Sequence, residues 1–251
     1  MHIPAEFEAA HLDAQERMGR LGSYYQWIIN NVRPYIGRRI WDAGAGVGHV
    51  SSTLIADADY LLATEFTQEN VKILHEKFDA LSAAEVVFCD LLDEQTSRFE
   101  SRHLDTIVNL DVIEHLPDDM PALRTFYRNL VPGGHLLIKV PAHPFLFGTM
   151  DEASLHYRRY SGKMLRSRLE DAGFEVKHMR HMNMAAVLPY FIKGRILKRQ
   201  GNFSRQISSS RIGMYNKLIP LLEDFERICP VFFGLSLIAV AMKHEVGEGG
   251  E

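Results

Sequence analysis

Apolar residues along this chain alternate between two spacings, and the alternation predicts an architecture before any chemistry is considered. The runs RRIWDAG, YLLATE, EVVFCD, DTIVNLD and HLLIKVP, between Arg38 and Pro141, are short and apolar. Runs of this length suit strands covered on both faces. Between them, VSSTLIA, QENVKILHEKFDAL and MPALRTFYRNL carry apolar positions at helical spacing. Upstream, SYYQWIINNVRPYI has the same spacing and is ended by Pro34. Strand and helix in repeated succession predict an α/β fold: a mostly parallel sheet with helices on both faces.

Beyond the fifth run the pattern changes. GTMDEASLHYRRYS reads as a polar, aromatic loop, GKMLRSRLEDAG as a helix ending at Gly173, and FEVKHMRHM as a sixth strand. Residues 183–222 then interrupt before LSLIAVAMK supplies the last strand. The tail HEVGEGGE, rich in Gly and Glu, is expected to be disordered. The expected division is an N-terminal helical segment (1–36), a core (37–182), a helical lid insertion (183–233), the final core strand (234–243) and the tail (244–251).

Composition narrows the function classes only modestly. A chain of 251 residues that is 46% hydrophobic can bury a real core, and its net charge of -4 gives no global reason to expect nucleic acid. Cys89 and Cys229 are too few for a disulfide framework or a zinc site, so both are expected to be core thiols in a reducing compartment, the cytoplasm. The start shows no secretory pattern, and ICPVFFGLSLIAVAM is too short to span a bilayer. Charge is unevenly spread, however. Residues 183–222 contain no Asp or Glu but include Lys193, Arg195, Lys198, Arg199, Arg205, Arg211 and Lys217. Within them, LPYFIKGRILKRQ sets Leu188, Phe191, Ile192 and Ile196 at helical spacing among basic residues, as an interfacial helix would. A helical lid whose apolar face packs on the domain has the same pattern.

The stretch WDAGAGVG is where the candidate chemistry begins. A glycine-rich turn between strand and helix brings backbone N–H groups and a helix end close to a ligand. Dinucleotide turns place a third glycine five residues after the first, but His49 occupies that place here. An aspartate just before the turn, Asp42, suits a ligand that carries its own positive charge. Glu65, Asp90 and Asp111 also follow predicted strands, at the sheet end where open α/β folds bind ligands.

Taken in order, WDAGAGVG, Glu65 in LLATEF, Asp90 in VVFCDLLD, TIVNLDVIEHLPDD and LVPGGHLLIKVP resemble the class I S-adenosylmethionine-dependent methyltransferases. The resemblance runs from about Arg38 to Lys177, and SLIAVAMK fits that family's final strand. DEASLHYRRYS is similar to a loop of a bacterial subgroup met in glycan and small-molecule settings. The resemblance implies a doubly wound, Rossmann-like, seven-stranded sheet with a helical insertion before the last strand, and S-adenosylmethionine as cofactor. It implies that Asp42, Gly44 and Gly46 border the cofactor's methionine part, that Glu65 takes the ribose hydroxyls, and that Phe66, Asp90 and Leu91 hold the adenine. The main chain from Asn109 to Asp111 would close the pocket near the sulfonium, whereas Gly48 serves equally well as a tight helix start.

A sulfonium methyl is already activated, so the protein must align a nucleophile and, for a hydroxyl, accept its proton. His115 and His156 are the leading candidates for that base, with Asp111, Glu114 and His143 also in the loops after strands four and five. Asp111, Glu114 and His115 are also donor types that hold magnesium or manganese, although no metal is assigned. In the following loop, Arg158 and Arg159 suit phosphate or carboxylate, or else pair with Asp151 or Glu152, and Tyr157 and Tyr160 stack on a ring or pack beneath the loop. The expected reaction is methyl transfer to a small-molecule or lipid-linked anionic acceptor, with oxygen favoured, and with peripheral contact to an anionic membrane surface. Nucleic acid is disfavoured because aromatics are sparse in the basic stretch. The alternatives are an NAD-dependent oxidoreductase and a non-catalytic S-adenosylmethionine-binding partner protein.

Overall fold

A computed structural model describes residues 5–198, 209–229 and 231–244. Its frame is one sheet of β1 (Arg39–Ala43), β2 (Tyr60–Glu65), β3 (Ala84–Phe88), β4 (Leu104–Leu110), β5 (Leu130–Pro141), β6 (Phe174–Met182) and β7 (Ser236–Lys243), in the order β3-β2-β1-β4-β5-β7-β6. The first five strands pair in parallel, and β7 runs antiparallel between β5 and β6. The chain winds outward from β1 to β3 and then returns to place β4 on the other side of β1. That reversal opens a crevice at the carboxyl ends of β1 and β4.

Nine helices among the described residues accompany the sheet: α1 (Ala5–Gly19), α2 (Gly22–Val32), α3 (His49–Leu54), α4 (Gln68–Phe78), α5 (Met120–Asn129), α6 (Thr149–Glu152), α7 (Gly162–Asp171), α8 (Val187–Phe191) and α9 (Ser209–Ile228). Alternating strand residues supply two cores. Trp41, Leu62, Ile107 and Leu136 meet Phe126 of α5 and Leu165 of α7 on one face. Ile40, Leu61 and Val108 meet Trp27 and Ile28 of α2 and Ile219 of α9 on the other. Trp41 is wholly buried, edge-on to Phe99 and Phe126, and its indole N–H donates to the Thr64 hydroxyl at 2.8 Å. A buried indole with its one donor satisfied anchors the centre of the sheet.

Three expectations need correction. Residues 148–161 are not all loop, because the Asp151 carboxylate accepts the Gly148 N–H at 3.0 Å and caps the short helix α6. The basic stretch is not one continuous amphipathic helix: α8 widens into a π turn over Ile192–Ile196, where the Gly194 carbonyl accepts from the Thr149 hydroxyl at 3.2 Å. Nor does the whole of 183–233 sit over the crevice, since Ile212 and Ile219 of α9, about two turns apart on the same face, pack against the α2 layer. Cys89 is buried and Cys229 half-buried, and neither forms a disulfide among the described residues. The expected disordered tail lies outside the described residues except for His244, as does part of the basic stretch. Among the described residues, no helix is long and apolar enough to cross a membrane.

Candidate active site

The crevice holds a cavity of about 1080 Å³ whose wall begins at the carboxyl ends of the parallel strands. At the end of β1, Gly44, Gly46 and Gly48 all adopt positive φ. A Cβ on Gly44 would lie 2.6 Å from the Val112 side chain, so only glycine lets this turn lie against the loop after β4. Gly48 answers to packing instead: a Cβ there would meet Phe78 and Leu74 of α4, and its left-handed backbone starts α3.

Two acids border this turn. Asp42 is buried, with the Ser51 hydroxyl donating to it at 2.6 Å. Burial pushes its carboxyl up to about 6, partly resisted by the Ser51 hydrogen bonds. Glu65, at the end of β2, accepts the Gly46 N–H on one oxygen at 2.9 Å and the Phe66 and Thr67 N–H groups on the other. It therefore fastens the glycine turn to the second strand. Burial raises its pKa as well, against those three backbone donors. Phe66, Asp90 and Leu91 line the same cavity, and Asp90 also caps its own turn by accepting the Leu92 N–H at 3.0 Å.

Asn109 departs from expectation. It is fully buried and its amide donates to the Ala43 carbonyl at 2.8 Å, tying β4 to β1 beneath the cavity, while the wall itself is formed by Leu110, Asp111 and Val112. Asp111 has φ of 55° and is ion-paired with buried Lys139 of β5. Burial opposes the Lys139 charge, but Asp111 and Tyr24 outweigh it and raise the ammonium pKa above its ordinary value. A lysine inside the apolar run HLLIKVP was the sequence signal for this pair. Gln15, Tyr24 and Tyr25 also line the cavity, so the N-terminal helices build the site as well as flank it.

Two histidines also line the cavity. His115 and His156 meet edge-to-face, ring centroids 4.7 Å apart, although they come from different loops. His156 Nδ1 lies 3.1 Å from the buried Asp151 carboxylate. Burial alone would raise Asp151, but His156 and Arg159 outweigh it and hold the carboxyl below its usual range. An ionised acceptor fixes the proton on Nδ1 and leaves Nε2 as the acceptor nitrogen. Arg159, also buried, donates to Asp151 at 2.8 Å and lies 4.3 Å above the Tyr190 ring. His143 lies apart, stacked on His181 and Phe233, and is not part of the cavity wall.

Within DEASLHYRRYS the two arginines do not serve alike. Arg158 binds the Pro117 carbonyl and pairs with Asp119 at 3.5 Å, and the buried Tyr160 hydroxyl donates to the same Asp119 at 2.7 Å. Tyr157 stays largely exposed at the cavity. Glu114 is buried with neither carboxylate oxygen hydrogen-bonded. Burial and the charge of Asp111 push it well above the usual carboxylate range, which favours the protonated acid. Donor atoms of Glu114, His115 and His156 all lie within 4.8 Å of one another, a set able to hold a divalent cation. Asp111, the third donor expected from sequence, is occupied by Lys139.

The methyltransferase domain family matches residues 23–179, more than half of the chain. A protein of Mycolicibacterium smegmatis described as a probable S-adenosylmethionine-dependent methyltransferase is 29% identical over 145 residues, 56% of this chain and 53% of that protein. Phosphoethanolamine N-methyltransferase 1 of Arabidopsis thaliana is 27% identical over 153 residues, 57% of this chain and 30% of the relative. The chain thus spans about half the length of the first curated relative and less than a third of the second. A crystal structure of a SAM-dependent methyltransferase from Archaeoglobus fulgidus superposes with a TM-score of 0.58 at 20% identity, covering 86% of this chain and 91% of that one.

Proposed function

The chain belongs to the methyltransferase domain family, and from that membership we propose that it transfers the methyl group of S-adenosylmethionine to a hydroxyl of a small or lipid-linked anionic acceptor. The observation that carries the choice of oxygen is the Asp151–His156 pair beside His115, on the wall of the same cavity as Asp42 and Glu65. An amine acceptor needs orientation more than a base, whereas a hydroxyl needs its proton removed. The family match sets aside the oxidoreductase reading.

The donor set suits the cofactor. Two buried carboxylates, Asp42 and Glu65, line one cavity and can accept from an ammonium and from ribose hydroxyls. In this reading Asp42 with the Gly44 and Gly46 main chain receives the amino-acid part, and Glu65 the ribose. Phe66, Asp90 and Leu91 border the adenine, and the backbone of Leu110 and Asp111 closes the side nearest the methyl. When bound, S-adenosylmethionine supplies an electrophilic methyl on a sulfonium. His156 takes the acceptor's hydroxyl proton on Nε2, while Asp151 holds the ring and stabilises the imidazolium that results. His115 packs against His156 and restricts its ring, and protonated Glu114 orients the acceptor by donating a hydrogen bond. Tyr190 of α8 lines the cavity over Arg159, so α8 acts as the lid segment at the acceptor end.

Transfer of tritiated methyl from S-adenosylmethionine to matched hydroxyl and amine acceptors tests the choice of atom. Label on hydroxyl compounds is expected, and label confined to amines would refute it. With a histidine base, turnover is expected to survive a chelator unchanged. Loss of turnover restored by magnesium or manganese would instead make Glu114, His115 and His156 metal ligands.

Asp42 gives a pH prediction. Folding raises its pKa from its ordinary 3.8 to about 6, so the folded state binds the proton more tightly than the unfolded chain. Stability therefore falls as pH rises through that window, and the cost, on the order of 3 kcal/mol, is fully present above it. A ligand ammonium needs the ionised form. Affinity for S-adenosylhomocysteine is thus expected to weaken by about tenfold per pH unit below about 6, with Glu65 adding in the same direction. Asp42→Asn should flatten this dependence while raising the melting temperature at neutral pH. Calorimetric titration across the window checks both, and an affinity that ignores pH would remove Asp42 from the site.

A further inference from the structure

Twelve of the eighteen large apolar side chains that are exposed among the described residues fall between Met184 and Phe233. They are not scattered. On α9, Met214, Leu218, Leu221, Phe225 and Ile228 follow one another at intervals of four and three, one continuous face at helical spacing, and Leu221 and Ile228 are 65% and 79% exposed. The opposite face of α9, through Ile212 and Ile219, is already buried against the α2 layer. In the α8 segment Met184, Leu188, Ile192 and Ile196 form a second exposed row, while Val187 and Tyr190 face inward. The two rows meet at one corner, because the Glu226 carboxylate of α9 accepts the Asn183 and Met184 N–H groups at 3.1 and 2.7 Å. Phe233 extends the corner by stacking on Phe145, itself half exposed.

Charge identifies what this surface fits. Lys193, Arg195 and Lys198 interleave with the α8 row, and Lys217 stands beside Leu218 on α9. No acid lies between Asn183 and Leu222, and those at the end of α9 are engaged: Glu223 by Asn30, Asp224 by Arg227 and Glu226 by the main chain above. An exposed apolar face fringed by cations is the signature of a helix lying in the interface of an anionic bilayer. We propose that α9 and the α8 segment together dock this protein on an anionic lipid surface, with the apolar rows among the acyl chains and the lysines and arginines at the headgroups. This goes beyond the transfer reaction and holds whether or not the acceptor is itself lipid-linked. Docking through α8 sets the bilayer against the helix whose inner side, at Tyr190, lines the cavity.

The test is co-sedimentation of the full chain with phosphatidylcholine vesicles, with and without phosphatidylglycerol, in low and high salt. Sedimentation with the anionic vesicles is expected in low salt, with a loss of about fivefold or more in high salt. Leu221→Gln with Phe225→Gln, and separately Lys198→Glu with Lys217→Glu, should each reduce it by a similar factor. None of the four positions lines the cavity, so S-adenosylhomocysteine affinity and melting temperature are expected to stay unchanged. Three results overturn the proposal. One is no sedimentation with anionic vesicles, and another is binding indifferent to lipid charge or to both variants. The third is a dimer in light scattering that the Leu221/Phe225 variant dissociates, because a second copy of the chain would then cover the face.

Discussion

His156→Ala is expected to lower kcat for the hydroxyl acceptor by about 100- to 10,000-fold, the range over which a positioned base contributes. Affinity for S-adenosylhomocysteine should stay close to that of the parent, because His156 is held by Asp151 and is not among the residues assigned to the cofactor. His156→Gln keeps a polar group of similar reach without an acceptor nitrogen of useful basicity, so it should be nearly as slow. Asp151→Asn gives a smaller loss by releasing the ring, but it also strips Arg159 and the Gly148 N–H of a charged partner. Its melting temperature must therefore be measured beside its rate. His115→Ala, which leaves the Asp151–His156 pair in place, is expected to cost less than His156→Ala. Near-normal turnover in His156→Ala would end the assignment of this residue as the base.

Glu65→Ala is expected to weaken S-adenosylhomocysteine binding by at least about 100-fold, since hydrogen bonds to a charged acceptor are worth roughly 1.5–3 kcal/mol each and two ribose hydroxyls are involved. The effect has two parts. One is the lost ribose acceptor, and the other is release of the Gly46, Phe66 and Thr67 N–H groups that the carboxylate gathers. Glu65→Gln separates them. It keeps an acceptor oxygen but loses the charge and one oxygen, so it should retain part of the affinity and most of the thermal stability. A homocysteine analogue lacking the ribose diol should lose affinity for the parent and be indifferent to Glu65→Gln. If S-adenosylhomocysteine binds Glu65→Ala as tightly as the parent, the ribose assignment is wrong and Glu65 is only a brace for the turn.

Much of this was legible in the chain. The strand and helix alternation from Arg39 to Met182 is local information, carried by side-chain spacing and by turns that need glycine or a cap. The WDAGAGVG turn, with acids after successive strands, is local as well, because each acid sits where its own strand ends. Their convergence on one crevice follows from parallel pairing, which brings every carboxyl end to the same edge.

Tertiary structure alone decided what those elements meet. Periodicity shows that a helix has an apolar face, yet the same stripe serves a core or a membrane. α9 has two such faces, one buried on α2 and one left open. Adjacent residues in one polar loop look alike in sequence. Only the fold turns Arg159 inward to Asp151 and Arg158 toward Asp119. The meeting of His115 with His156, and of Lys139 with Asp111, joins different segments whose separation along the chain carries no geometric signal. Local sequence encodes dihedral preference and burial tendency, whereas distances between segments are set by the packing of the whole sheet and its two helical layers.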